Sequence, residues 1–188
     1  GNNAFYECSN LKSIEMPGVT SIGDYAFYKC SSLESIKIPE TTNIGNYAFY
    51  ECKSLQNLEI PKVEYIRSYA FYECHSLENI DMPEVKSVFE GAFSGCDNLK
   101  SLDMQSVISI GYSAFEGCEN LETVNMSKYV EGSYDNGIQI GRKAFYGCSN
   151  LKNIEASNVS SIGSGAFAGC YSLDSIELLD GYSIGGMG

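Results

Sequence analysis

Long apolar runs are missing from this 188-residue sequence, so no stretch can cross a bilayer as a single helix. No charged-then-apolar signal segment opens it. Cations are scarce: 12 Lys and Arg stand against 24 Asp and Glu, a net charge of −12. Such a chain repels phosphate backbones, which argues against nucleic-acid binding. It suits a basic or cation-bearing partner, or it is simply a solvated acidic surface. Histidine occurs once, as His75, and no Cys-x-x-Cys is present, so the clustered ligands of a metal site are lacking. No glycine-rich phosphate cradle appears either. These absences leave no cofactor to expect.

What the sequence has is a period. Cys8, Cys30, Cys52, Cys74, Cys96 and Cys118 are 22 residues apart; a 30-residue step leads to Cys148 and 22 more to Cys170. A leucine stands three residues after each, from Leu11 to Leu173, and an Ala-Phe pair precedes each, from Ala4-Phe5 to Ala166-Phe167. A repeat of this length is the mark of a solenoid that stacks one small unit. Residues 1–188 therefore read as one elongated domain of about eight 22-residue coils, with an eight-residue insertion around 127–137. The chain opens and closes inside a repeat and reads as truncated at both ends, a piece of a longer protein.

Positions relative to each cysteine divide the coil in two. Apolar residues at −8, −4, −3, 0 and +3 follow steps of three and four, which predicts a helical or 3₁₀ turn. Positions +6 (Ile14, Ile36, Leu58 and onward) and +8 (Met16, Ile38, Ile60 and onward) flank an almost always charged +7. That alternation predicts a short strand, and strands from successive coils should form one parallel sheet at about 4.8 Å spacing. The four prolines, Pro17, Pro39, Pro61 and Pro83, all stand at +9, where they should end the pairing. Glycine at −7 (Gly23, Gly45, Gly111, Gly141, Gly163) suggests a turn with positive φ. Ser or Asn at +2 is placed to satisfy buried backbone groups of neighbouring coils.

The unit L-x-x-I-x-I-P-x-V-x-x-I-G-x-x-A-F-x-x-C, seen in Leu33–Pro39 and Ile22–Cys30, resembles the Treponema-type, BspA-like leucine-rich repeats over essentially the whole chain. The resemblance implies an α/β repeat solenoid: a right-handed superhelix with a concave parallel β-sheet and short helical or 3₁₀ turns on the other side. It implies a secreted or cell-surface protein that binds host or bacterial surface and matrix proteins, with adhesion and co-aggregation as known roles. It does not single out one ligand.

Phase decides how the cysteines are read. Each has the same inward position, so neighbouring Cβ atoms lie about one strand spacing apart, outside the 3.5–4.5 Å typical of a bridge. A ladder of buried free thiols is expected, each acting as a small apolar residue.

Three surfaces are candidates for binding. The +7 residues Glu15, Lys37, Glu59, Asp81, Asp103, Asn125, Glu155 and Glu177 should form a row on the concave face. Lys37 relieves its acidic neighbours, and Lys100 is placed to help Asp103. The row is either an electrostatic groove for a basic peptide or a weak cation site, or a charged surface that keeps the sheet soluble. Absence of a chelating loop weighs toward the second. The other two surfaces are aromatic. Tyr6, Tyr28, Tyr50 and Tyr72 at −2, with Tyr25, Tyr47 and Tyr69 at −5, make a stripe on the first four coils. It is either an interface or a cover over the column. The insertion, with Tyr129, Tyr134, Asp135 and Asn136, is polar and turn-prone, and reads either as a contact loop or as a neutral excursion.

Catalysis needs groups that converge, and repeated positions along a column do not. His75 follows Cys74, but the phase turns the thiol inward and the imidazole outward. No enzyme is expected in this chain. A binding module and a structural spacer or targeting module remain.

Overall fold

The computed structural model describes residues 1–126, 137–157, 159–179 and 183–184; of 157, 177–179 and 183–184 it describes the backbone. Two short strands occur per coil. In chain order they are β1 (Ser13–Glu15), β2 (Ser21–Ile22), β3 (Ser35–Lys37) and β4 (Asn43–Ile44). Then come β5 (Asn57–Glu59), β6 (Tyr65–Ile66), β7 (Asn79–Asp81) and β8 (Ser87–Val88). The fifth and sixth coils supply β9 (Ser101–Asp103), β10 (Ser109–Ile110), β11 (Thr123–Met126) and β12 (Ile138–Ile140). The last are β13 (Asn153–Ser157), β14 (Val159–Ile162), β15 (Ser175–Leu179) and β16 (Ser183–Ile184).

Every pairing is parallel and joins identical positions of adjacent coils, such as Ile14 with Ile36 and Ile22 with Ile44. Odd-numbered strands carry +5 to +7, with +6 buried and its neighbours exposed in β3, β5, β7 and β9. This is the predicted alternation, and in the first four coils the strand stops two residues short of the proline.

The expected helical or 3₁₀ turns are corrected: no helix occurs among the described residues, and the architecture is an all-β solenoid. Backbone bonding explains why. In the second coil, Ala26, Tyr28, Cys30 and Leu33 donate to Gly23, Tyr25, Phe27 and Cys30, closing successive tight turns. The intervening N–H groups of Tyr25, Phe27 and Lys29 donate instead to Asn46, Ala48 and Tyr50 of the next coil. A helix needs every N–H for its own ladder; here alternate donors are spent between coils. The left-handed φ of 56° at Tyr25 and 55° at Lys29, repeated at −5 and −1 along the array, also breaks any helical run.

Position −8 belongs to a second strand, not to a helical turn. The even-numbered strands form one unbroken eight-stranded sheet, from β2 to β16. The sheet predicted from the +6 to +8 strands, observed at +5 to +7, is interrupted instead, into β1–β3, β5–β7 and β9–β11–β13–β15.

The glycines at −7 are also corrected. None has positive φ. A Cβ on Gly45 would lie 2.6 Å from the Gly23 carbonyl carbon, and one on Gly163 would lie 2.4 Å from the Arg142 nitrogen. Close backbone approach between coils, not turn conformation, selects glycine here.

The core is a column. Phe5, Phe27, Phe49, Phe71, Phe93, Phe115, Phe145 and Phe167 stack with centroids 4.9–5.5 Å apart. Phe115 and Phe145 keep the common spacing, at 5.2 Å, across the longer step. Thr123 pairs with Asn153 and Ile110 with Ile140, so the extra residues leave the register intact.

Candidate functional site

Cys30 to Cys148 are buried, and the thiols are free. Each donates to the phenylalanine carbonyl of the preceding coil: Cys52 Sγ to Phe27 O at 3.1 Å, Cys74 to Phe49 at 3.1 Å, Cys96 to Phe71 at 3.1 Å. Burial pushes the Cys30 thiol up to about 11 and those of Cys52, Cys74 and Cys96 well above the ordinary thiol range. Buried and protonated, these sulfurs are neither nucleophiles nor ligands. Cys8 is exposed. His75 points away from Cys74 and is hydrogen-bonded through Nδ1 to Asp97 Oδ2 at 2.9 Å.

The +7 row lies on the outer face of the odd-numbered strands, but its members differ. Lys37 pairs with Glu15 at 2.7 Å. Glu59 and Asp81 stand directly opposite each other; neither forms an ion pair among the described residues, and Lys37 acts on Glu59 only at longer range. Asp103 accepts from Gln105 and Asn125 at 3.3 and 3.2 Å. Lys100 is not its partner: that ammonium reaches Glu78, the same position one coil back, at 2.6 Å. Glu155 is in register with Asn125 and Glu177; the Glu177 side chain lies outside the described residues. Where the ladder opens between β3 and β5, a groove of about 300 Å³ is lined by Ile36, Lys37, Pro39, Glu59 and Pro61.

Lys100 and Glu78 illustrate a general device. Glu40 with Lys62, Glu64 with Lys86, and Glu122 with Lys152 are likewise same-position pairs one coil apart. At +2, Asn98, Asn120 and Asn150 form an exposed amide ladder. Only Asn98 turns to backbone, donating to the His75 carbonyl at 2.7 Å. The buried backbone expected to need these side chains is satisfied by the coil-to-coil ladder.

Both tyrosine rows form stacks. Tyr6, Tyr28, Tyr50 and Tyr72 are spaced 4.9–5.0 Å apart, and Tyr25, Tyr47 and Tyr69 4.9–5.2 Å. The rows touch, as at Tyr25 and Tyr28, 5.7 Å apart. Tyr6 and Tyr25 are exposed and the other five half-buried. Burial pushes Tyr50 up to about 12; the hydrogen bond that the Tyr69 hydroxyl donates to Glu90, at 2.6 Å, does the same for Tyr69. The second row ends against Gly91, whose φ is 58° and where a Cβ would lie 2.4 Å from the Tyr69 ring. Tyr129, Tyr134, Asp135 and Asn136 lie outside the described residues.

One cluster escaped the sequence reading. Arg67 occupies −7 in place of glycine, and its guanidinium lies 5.5 Å from the Tyr65 ring centroid and 4.8 Å from that of Phe89. The signal was available as two consecutive gaps, Arg67 and Phe89, in the glycine row.

A profile described as BspA type leucine rich repeat region matches residues 1–122 and 133–186 in six copies. No curated protein matches the chain. Among solved structures, a Treponema pallidum leucine-rich repeat protein is 29% identical, with a TM-score of 0.74 over 86% of this chain and 77% of its own. A leucine-rich cell surface protein of Faecalibacterium prausnitzii is 26% identical, with a TM-score of 0.59 over 95% of this chain and 62% of its own. A leucine-rich repeat protein of Eubacterium ventriosum, 22% identical, shares the fold at a TM-score of 0.50, over 89% of this chain and 60% of its own.

Proposed function

The chain belongs to the BspA-type leucine-rich repeat family, whose repeats generally bind proteins, and from that premise we propose a non-catalytic adhesion module. It attaches a secreted or surface-borne protein to host or bacterial surface and matrix proteins. The observation that carries this reading is the pair of tyrosine stacks. Seven phenol rings, spaced by the coils themselves, hold their edges and hydroxyls at one surface. Tyrosine buries a large apolar area at low entropic cost and ends in a hydrogen-bonding group, which suits it to interfaces. These rings are fixed before binding, so little side-chain freedom remains to be lost. The cell-surface description of the Faecalibacterium relative supports the location.

A stiff spacer is the second reading. It is favoured by the same-position ion pairs and the unbroken phenylalanine stack, which tie each coil to the next. Capture on a panel of immobilised extracellular-matrix proteins separates the two. The adhesion reading expects at least one saturable ligand, and the double variant Tyr28→Ala with Tyr50→Ala should weaken it at least tenfold, about 1.4 kcal/mol. Capture unaffected by that variant removes the stacks as the contact. No capture across the panel favours the spacer.

A further inference from the structure

The glycine row at −7 is a packing rule: on Gly23, Gly45, Gly111, Gly141 and Gly163 a Cβ would come within 2.4–2.8 Å of backbone atoms one coil back. The fourth and fifth coils break this rule together, with Arg67 and Phe89. Tyr65, two residues before Arg67, replaces the small polar residues found at Ser21, Asn43, Ser87 and Ser109. The repeat does not require any of these residues, and Tyr and Arg are the types that dominate binding hot spots.

Arg67 is held in place from three directions. The Tyr65 and Phe89 rings lie against its guanidinium, and its Nε donates to Asn43 Oδ1 at 3.2 Å. A guanidinium carries five N–H donors; the remaining four have no acceptor among the described residues. Neighbouring carboxylates are engaged elsewhere. Glu64 pairs with Lys86 at 2.9 Å, and Glu90 accepts from the Tyr69 hydroxyl at 2.6 Å. In a chain with twice as many acids as bases, a fixed and unpaired guanidinium stands out.

We propose that Arg67, fixed by Tyr65, Phe89 and Asn43, is a docking site for a carboxylate side chain of a partner protein. The net charge of −12 favours basic partners over most of the surface, but at this point the free guanidinium donors are complementary to a carboxylate. An arginine fork binds a carboxylate bidentately, and the cost of ordering the fork has already been met by the two rings and the asparagine. An acidic sugar is disfavoured because stacking on it would take ring surface that the guanidinium already covers. The proposal rests on the reading of the chain as a protein-binding module, and it uses none of the seven stacked tyrosines.

Arg67 and Arg142 are the only arginines, so the side-chain Nε region of a nitrogen–proton correlation spectrum holds two signals, and Arg67→Lys assigns them. The whole chain is titrated with N-acetyl-Glu-Phe-Glu-amide, with the matching Gln-Phe-Gln peptide, and with glucuronate. The Arg67 signal should shift and saturate with the acidic peptide, while the Gln peptide binds at least tenfold more weakly. Arg67→Lys keeps the charge but loses the fork, and should weaken the acidic peptide at least fivefold, read from the peptide's own signals. An unmoved Arg67 signal, or equal shifts with both peptides, overturns the proposal. Stronger binding of glucuronate replaces it with an acidic-sugar site. A negative titration leaves the capture experiment on the tyrosine stacks unaffected, so the two readings fail separately.

Discussion

At Cys74 the side chain is fully enclosed, and its thiol donates to the Phe49 carbonyl one coil back. The thiolate is the reactive form, and burial disfavours it, so the interior cysteines should be inert while folded. A thiol reagent at pH 8 should modify Cys8 at once, reach Cys170 slowly, and modify Cys52 to Cys148 only after denaturant is added. Rapid native modification of the interior set, or bridges that resist the reagent after unfolding, would contradict the ladder. The inward phase of these residues was legible from sequence, because a residue at one position in every coil must face the same way. Their hydrogen-bond acceptor was not, since it lies 25 residues back, or 33 across the longer step, and depends on how two coils approach. Glycine at −7 was misread for the same reason: sequence offers turn conformation as the obvious cause, whereas the backbone of the previous coil is the real one.

At the scale of the element, spacing by threes and fours suggested helix, yet the segment folds as consecutive tight turns. Periodicity reports which side chains face inward; it does not report where the backbone donors go. Once alternate N–H groups bond the next coil, the same inward pattern is built without a helix. The two tyrosine rows touch, as at Tyr25 and Tyr28, because −5 and −2 are neighbours in either geometry. Burial of Tyr50 and the hydrogen bond from Tyr69 to Glu90 have a titration consequence there. Tyr50 and Tyr69 are pushed up to about 12, above the ordinary phenol value of about 10. A raised folded-state pKa means that the neutral phenols stabilise the fold fully below about pH 10, and that this contribution is lost as pH rises through about 12. Alkaline absorbance titration should show part of the tyrosinate signal delayed to near pH 12, and Tyr50→Phe should remove a share of it. A single transition near pH 10 in the folded protein would count against the burial of Tyr50 and the Tyr69–Glu90 hydrogen bond.

Across the whole molecule, stability depends on how many neighbours a coil has. Phe71 is enclosed and stacked on both sides, by Phe49 and Phe93, whereas Phe5 is stacked on one side only, by Phe27. In chemical denaturation Phe71→Ala should cost about 3–5 kcal/mol and Phe5→Ala clearly less. Equal costs would mean that the column does not behave as a stack of nearest neighbours. The sequence by itself determined the repeat, its register, the inward residues and the exposed rows, because translation along one axis forces identical positions into identical surroundings. It also located the extra residues between Cys118 and Cys148. Only the tertiary structure decided which of two strand sets forms a continuous sheet, which acidic residues find a lysine, and where Arg67 lies. Those outcomes depend on how closely each coil approaches the next and on which side chains then meet, and a one-dimensional period carries no record of them.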